Sequence, residues 1–327
     1  MSDDPQPQAR SFGSAADAYH RGRPTYPANA VSWLATGVVL DEDTPGSSVS
    51  ARTVLELGAG TGKLTASLLA QGHDVHATEP DEGMIEVLRR DLPAVRTSVS
   101  GAEAIPLADA SVDVVVAAQC FHWFDAEPAL DEISRVLKPG GHLALVWHER
   151  DERIPWVKKL GRIIGNQEHL IDPAADLGSS ARFGEVEEMT FKHWQVVNRR
   201  TIVDLALSRS NIAVMTPSDR DATIAELLAL YDDYGRGMDG MQIPYRTRCF
   251  RSRVLPRPKP APLPQVEWRA QPQSPPARPH DPALDLPALA LDPLTQPTQP
   301  ISRADAVAAG LGRSPTAAQH GWQIDRN

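Results

Sequence analysis

The sequence predicts an α/β fold, a doubly wound and mostly parallel sheet with helices on both faces. Three observations predict it. Short apolar runs alternate with segments of helical periodicity from about residue 53 to 150. One of those runs, VDVVVAA at 112–118, is almost continuously apolar, the pattern of a strand covered on both faces. The first strand leads directly into a glycine-rich loop and then a helix, VLELGAGTGKLT at 54–65.

Taken in order, Thr53–Leu57 reads as a strand and Lys63–Gln71 as a helix that Gly72 can close in the left-handed conformation. Asp74–Glu79 is a second strand, and Gly83–Arg90 a helix stopped by Pro93. Val95–Val99 is a short third strand and Val112–Ala118 the fourth. Glu127–Leu137 is a helix ended by PGG at 139–141, and His142–Trp147 the fifth strand. Beyond Glu149 the regularity weakens. Trp156–Ile164 reads as a helix, Val186–Val197 as a strand, Ile202–Leu207 and Ala222–Tyr234 as helices, and IPYRTRCFR at 243–251 as a last strand.

Composition then limits the partners. With 42 acidic and 33 basic residues and a net charge of −9, the chain offers no basic patch for nucleic acid. No apolar run approaches the roughly 18 residues of a membrane span. The polar start MSDDPQPQAR has no signal-peptide core. Two cysteines, Cys120 and Cys249, are too few for a disulfide framework and fit a reducing cytoplasm. No metal is expected. Residues 1–10 are expected to be disordered, and 252–327 to form a disordered tail. From Pro256 to Pro300 a proline recurs every few residues, too often for a helix or a central strand.

Three patterns compete for the glycine loop. The phosphate-cradling pattern GxxxxGK[ST] fails, because Leu57 stands five before Gly62 and Leu64 follows Lys63. The dinucleotide pattern GxGxxG fails at Lys63, where its third glycine belongs. What stands is E-x-G-x-G-x-G from Glu56 to Gly62. A carboxylate at the mouth of the loop repels pyrophosphate, which needs bare amides and a helix N-terminus, but suits a ligand with an ammonium group. Glu79, ending the second strand, is placed to accept ribose hydroxyls. The loop therefore reads as a site for S-adenosylmethionine, which carries a nucleoside, a sulfonium and an amino-acid tail and no phosphate.

ELGAGTGKLT, EP at 79–80, AEAIPLADASVDVV at 102–115 and LKPGGHLALVW at 137–147 resemble the class I S-adenosylmethionine-dependent methyltransferases. Within them the chain is similar to the small-molecule branch typified by trans-aconitate and ubiquinone/menaquinone-type methyltransferases. The resemblance covers about residues 11–251 and implies a Rossmann-like, seven-stranded sheet with an antiparallel last strand. It implies that Gly58, Ala59, Gly60 and Gly62 carry the backbone around the cofactor's methionine part, with Glu56 supporting the loop or meeting the ammonium. Glu79 and Pro80 match the ribose-binding position, and Ala102 and Glu103 the loop bordering adenine. Gly101 stands where many relatives have aspartate, so the adenine amine falls to Glu103 or to backbone. The N-terminal stretch 11–35, with Tyr19, Arg23 and Tyr26, matches a lid over the cofactor, and 150–240 the region that shapes the acceptor pocket.

The fourth strand ends in AAQCFHWFD at 117–125, beyond which a doubly wound sheet holds its ligands. Gln119 is expected beside the cofactor, and Phe121, Trp123 and His148 beside a small-molecule acceptor. His122 is the candidate general base if the nucleophile is a hydroxyl, and Tyr19 the second catalytic candidate. Arg23 has a planar fork suited to a carboxylate, the cofactor's or the acceptor's. Two other readings remain open: a nicotinamide-dependent oxidoreductase, and a protein that binds S-adenosylmethionine without catalysis.

Overall fold

The computed structural model describes residues 16–40, 49–166, 177–235 and 240–256. A seven-stranded sheet runs β3-β2-β1-β4-β5-β7-β6. Its strands are β1 (Thr53–Leu57), β2 (Asp74–Thr78), β3 (Arg96–Ser98), β4 (Val112–Ala118), β5 (Leu137–Arg150), β6 (Phe183–Val197) and β7 (Met241–Val254). The first five are parallel, and β7 lies antiparallel between β5 and β6. The helices are α1 (Ala16–Gly22), α2 (Ala28–Thr36), α3 (Lys63–Ala70), α4 (Glu82–Asp91), α5 (Ala126–Val136), α6 (Pro155–Ile164), α7 (Arg199–Leu207), α8 (Ser210–Ala213) and α9 (Pro217–Tyr234).

Both faces of the central strands are covered, as their apolar runs require. Leu55, Val115, Leu143 and Leu145 pack with Leu130 and Ile133 of α5 on one face. Their neighbours Val54, Val114, Val116 and Val146 pack on the other face with Val31 and Leu34 of α2 and with Leu64 and Leu68 of α3. Helix α2 lies almost wholly within the stretch 11–35 that was matched from sequence to a lid. Its residues 30–35 are all buried, so it shows no periodic stripe, and Pro27 starts it without a side-chain cap. A third cluster joins α6, α7 and α9 to Ile243 and Tyr245 of β7.

The structure lengthens β5. The PGG predicted to stop the preceding helix lies inside the strand, and a register shift between Val112 and Val114 on β4 accommodates it. Helix α1 is tied to α7 across the mouth of the sheet. Arg21 donates from Nε and Nη2 to the two carboxylate oxygens of Asp204, at 2.9 and 3.1 Å. Gln195 Nε2 donates to the Gly22 carbonyl at 2.7 Å. The backbones touch there, since a Cβ on Gly22 would stand 2.4 Å from the Asp204 carbonyl carbon. The expected tail at 252–327 and the expected disorder of residues 1–10 fall outside the described residues, apart from the end of β7 and its neighbours up to Pro256.

Candidate active site

A cavity of about 420 Å³ opens beyond the carboxyl ends of the parallel strands. That is the size of a small-molecule site. Part of its lining comes from the loops after β1, β2 and β3, through Gly58, Gly60, Glu79, Pro80, Met84 and residues 100–104. The rest comes from Gln119, Cys120, His122, Trp123 and Phe124 after β4, from Trp147 near the end of β5, and from Arg209, Ser210 and Asn211. Tyr19 and Arg23 of the N-terminal segment also line it.

The first end depends on bare backbone. Gly58 has φ of +62°, and a Cβ there would come within 2.7 Å of the Cys120 sulfur. Gly60 has φ of +56°, and its added Cβ would face Tyr19 at 3.9 Å. Only glycine takes that conformation and leaves that space without cost. Gly62 serves differently: it lines neither this cavity nor its neighbour, and starts α3 with φ of +84° against Leu88 and Leu92. The Ala59 amide donates to the Thr78 carbonyl at 2.9 Å, which fixes the loop to β2.

The two glutamates take different positions. Glu79 accepts from the Gly60 amide at 2.9 Å on one oxygen and from the Asp81 amide at 3.0 Å on the other. Each carboxylate oxygen has a further lone pair. Burial pushes its carboxyl up to about 7, with the two amide hydrogen bonds working the other way. Glu56, 1% exposed, does not reach the main cavity. It accepts from Thr65 Oγ1 at 2.6 Å, tying β1 to α3, and burial raises its carboxyl to about 8.

The fourth strand ends in strained backbone. Gln119 has φ of +60°, which is uncommon outside glycine, and its amide donates to the Val146 carbonyl at 2.9 Å. A 3₁₀ turn over Phe121–Trp123 then reverses the chain. His122 is exposed on this turn and stacks at a tilt on Trp123, with centroids 4.7 Å apart. Phe121, expected beside the acceptor, is instead 3% exposed in the core and lines no part of the cavity. Ala102 and Glu103 are on the wall as expected, and Glu103 Oε1 accepts from the Asp125 amide at 3.0 Å. Ser100 on the same wall has a buried hydroxyl with no partner among the described residues.

His148 is also displaced from its expected place. Alternation along β5 turns it to the opposite face from Trp147. There it stacks on Tyr26 at 4.6 Å and its Nδ1 hydrogen-bonds Thr247 Oγ1 at 2.9 Å. It lines an adjoining space of about 50 Å³, with Glu56, Ala59 and Arg150, that shares Tyr19, Gly58, Gly60 and Gln119 with the main cavity. Tyr19 lies under Arg23, whose guanidinium carbon is 4.9 Å from the ring centroid. Burial raises the Tyr19 phenol, with Arg23 pulling the other way. Arg23 also donates from Nη2 to the Ser208 carbonyl at 2.9 Å.

Trp147 and Arg209 were not read as cavity residues from the sequence. Trp147 ends the LKPGGHLALVW motif, which gave it no role, Arg209 belongs to no motif, and the fold brings both to the lining of one cavity. The nearest sequence signal was that Trp147 ends an apolar strand run.

The sequence and structural comparisons agree with this geometry. The profile of a methyltransferase domain matches residues 55–145. An uncharacterized methyltransferase of Mycobacterium tuberculosis is 41% identical over 246 residues, covering 74% of this chain and 95% of the relative. One of Schizosaccharomyces pombe is 34% identical over 254 residues, covering 76% and 98%. A solved structure assigned as a type II methyltransferase, from Anaeromyxobacter dehalogenans, shares the fold with a TM-score of 0.51. It is 24% identical, over 72% of this chain and 99% of that one. The chain belongs to the class I S-adenosylmethionine-dependent methyltransferases. Its cofactor is S-adenosylmethionine. The bare glycine loop and the buried carboxylate of Glu79 with spare lone pairs fit that ligand.

Proposed function

We propose that this methyltransferase acts on a small-molecule acceptor held in the same cavity as the cofactor. The observation that carries the reading is that one cavity is lined both by the loops after β1, β2 and β3, read as the cofactor end, and by Trp123, Phe124, Trp147 and Arg209 from other parts of the chain, read as the acceptor end. When bound, S-adenosylmethionine supplies a methyl group on a sulfonium, and displacement by the acceptor leaves S-adenosylhomocysteine.

The chain's own residues have positioning work to do. Gly58 and Gly60 keep side chains out of the methionine space, and Glu79 accepts the ribose hydroxyls while its amide partners hold the carboxylate in place. Ala102, Glu103 and the Ser100 hydroxyl border the adenine. Arg23, over Tyr19, meets the cofactor's carboxylate, and Tyr19 closes the site from water. Gln119 and Trp123 border the transferring methyl. His122, exposed on the turn, takes up a proton when the acceptor is one that releases it.

Calorimetric titration with S-adenosylmethionine tests the reading, followed by mass spectrometry of reactions with a panel of small acids, phenols and amines. Glu79→Gln is expected to weaken cofactor binding about tenfold by removing the charge from its hydrogen bonds. Wild-type affinity unchanged in the variant, or binding of NAD in preference to S-adenosylmethionine, would overturn it.

A further inference from the structure

Strand β6 ends the sheet and pairs with β7 alone among the described residues. It is 15 residues long, FGEVEEMTFKHWQVV, and contains no proline. Its outer side therefore offers a row of backbone N–H and C=O groups to a further strand. Soluble proteins usually blunt such an edge by shortening it, or with a proline, a bulge or charges that repel a second strand. The register shift in β6 falls at its start, between Phe183 and Val186, and leaves 186–197 in regular pairing. Its charges are divided along the strand, with Glu185, Glu187 and Glu188 in the first half and Lys192 in the second.

Alternation and the register with β7 assign the faces. Glu188 lies directly opposite Phe250, so Val186, Thr190, Lys192, Trp194 and Val196 share the face of that core residue. Core cover on this face stops short of the strand's far end. Val186 packs against the core, but Trp194 is 53% and Val196 61% exposed. Lys192 is exposed too, makes no ion pair among the described residues, and lies opposite Arg246, a charge of its own sign.

We propose that β6 pairs antiparallel with β6 of a second copy of this chain across a twofold axis at Thr190, joining two sheets edge to edge in a homodimer. Such an axis makes the interface self-complementary, with every contact made twice. It sets Thr190 against itself, Glu188 against Lys192 of the second copy, and Val186 against Trp194 of the second copy. These are the kinds of cross-strand pair that stabilise sheets: opposite charges, an aromatic on a β-branched residue, and threonine on threonine. Glu188 is free to make its new contact, because Arg248 Nε occupies only Oε1, at 2.9 Å. Neighbouring registers lose the match. An axis at Met189 sets Lys192 against Val186, and one at Phe191 sets it against Thr190. An axis at Glu188 or at Lys192 sets a charge against its own copy. The inference is independent of which acceptor the cavity takes.

The test follows the full chain by sedimentation equilibrium from about 1 to 100 μM. A monomer–dimer equilibrium is expected, with the dimer predominant at the upper end. Lys192→Glu and Glu188→Lys each set like charges opposite one another twice, and each should weaken association about tenfold or more. Mixed in equal amounts, the two variants should associate with each other to within about threefold of wild type, because every 188–192 pair is then again of opposite sign. Trp194→Thr leaves the charges untouched and should weaken association about three- to tenfold. Circular dichroism checks that each variant is folded, and Trp194→Thr decides alone if a charge variant is not. A wild-type chain that stays monomeric throughout the range would overturn the inference. So would a dimer that Lys192→Glu or Trp194→Thr leaves equally tight, or folded charge variants that do not associate on mixing.

Discussion

The two parts of the cavity's lining are made from different material. The end proposed for the cofactor is backbone: three loops that each follow a parallel strand, with glycine where a side chain would intrude and Glu79 held by two amides. The end proposed for the acceptor is side chains: Trp123, Phe124, Trp147 and Arg209, carried by β5, a 3₁₀ turn and the short segment between α7 and α8. A backbone-built site tolerates few residue types at a few positions, which is why it leaves a motif. A site built from side chains on separate elements can change its chemistry one residue at a time and leaves none. The difference teaches where specificity for the acceptor has to be sought.

The largest effect should come from the backbone end. Gly60→Val forces a branched residue to φ of +56° and points it at Tyr19. Strain of about 1–3 kcal/mol follows from the conformation alone. S-adenosylmethionine affinity is expected to fall by about a hundredfold or more, because the methyls also occupy the ligand's space. Calorimetry giving a value within threefold of wild type would show that the cofactor end is not built as described.

The two ends are joined by the α1–α7 contact, and breaking that contact sharpens the comparison. Asp204 is 6% exposed and takes both hydrogen bonds from Arg21. Asp204→Ala should loosen α1, with Tyr19 and Arg23, and the chain leading to Arg209. Cofactor affinity is expected to fall about three- to tenfold, with turnover on any acceptor falling further because both walls shift. A variant that loses only stability, with both constants intact, would show that the contact is structural alone.

The same contrast explains what could be read from the sequence. Strands β1, β2 and β4 and helix α3 were legible almost to the residue, because apolar runs and a glycine loop are local signals. Phe121 and His148 were misplaced for one reason. In a strand buried on both faces, or a turn that reverses beyond it, composition does not say which side a residue takes. Trp147 and His148 are neighbours, yet one lines the main cavity and the other packs against Tyr26. Helix α2 was missed because burial all round removes its periodicity. Arg209 needed the fold itself, since only the packing of α7 and α8 brings it to the cavity that Trp147 also lines.

A smaller effect separates the two glutamates. Burial holds the Glu56 carboxyl at about 8, against an ordinary value of 4.5. The native state then keeps a proton that the unfolded chain gives up. This stabilises the native state fully below pH 4.5 and is lost as pH rises toward about 8. Glu56→Gln removes that titration and keeps an acceptor for Thr65 Oγ1. The variant should melt above wild type at pH 8, with the gap closing toward pH 5. Melting curves with a constant offset at both values would mean that Glu56 is not buried as an isolated acid. Glu79, at about 7, carries the same sign and remains in both proteins.

The smallest effect concerns the end of the chain, and it tests whether the acceptor end is complete within the described residues. Strand β7 ends at Val254, where it pairs with Phe183, and the Leu255 amide donates to the Arg182 carbonyl at 2.8 Å. Among the described residues, the sheet's last contacts are made before Pro256. The mycobacterial relative is 95% covered by an alignment that takes up only 74% of this chain, so it has no counterpart of comparable length for the proline-punctuated segment. We propose that residues 257–327 are dispensable for folding and for both ends of the cavity. A chain ending at Pro256 is expected to melt within about 2 °C of the full chain, with cofactor affinity and acceptor choice unchanged. Limited proteolysis of the full chain should cut first between residues 257 and 300, leaving activity intact. A truncation that lowers the melting temperature by about 5 °C or more would show that the segment packs on the domain. Changed acceptor choice at unchanged stability would show something narrower: that part of the acceptor wall comes from beyond β7, and that Trp147 on β5 and Arg209 between α7 and α8 are only a portion of it.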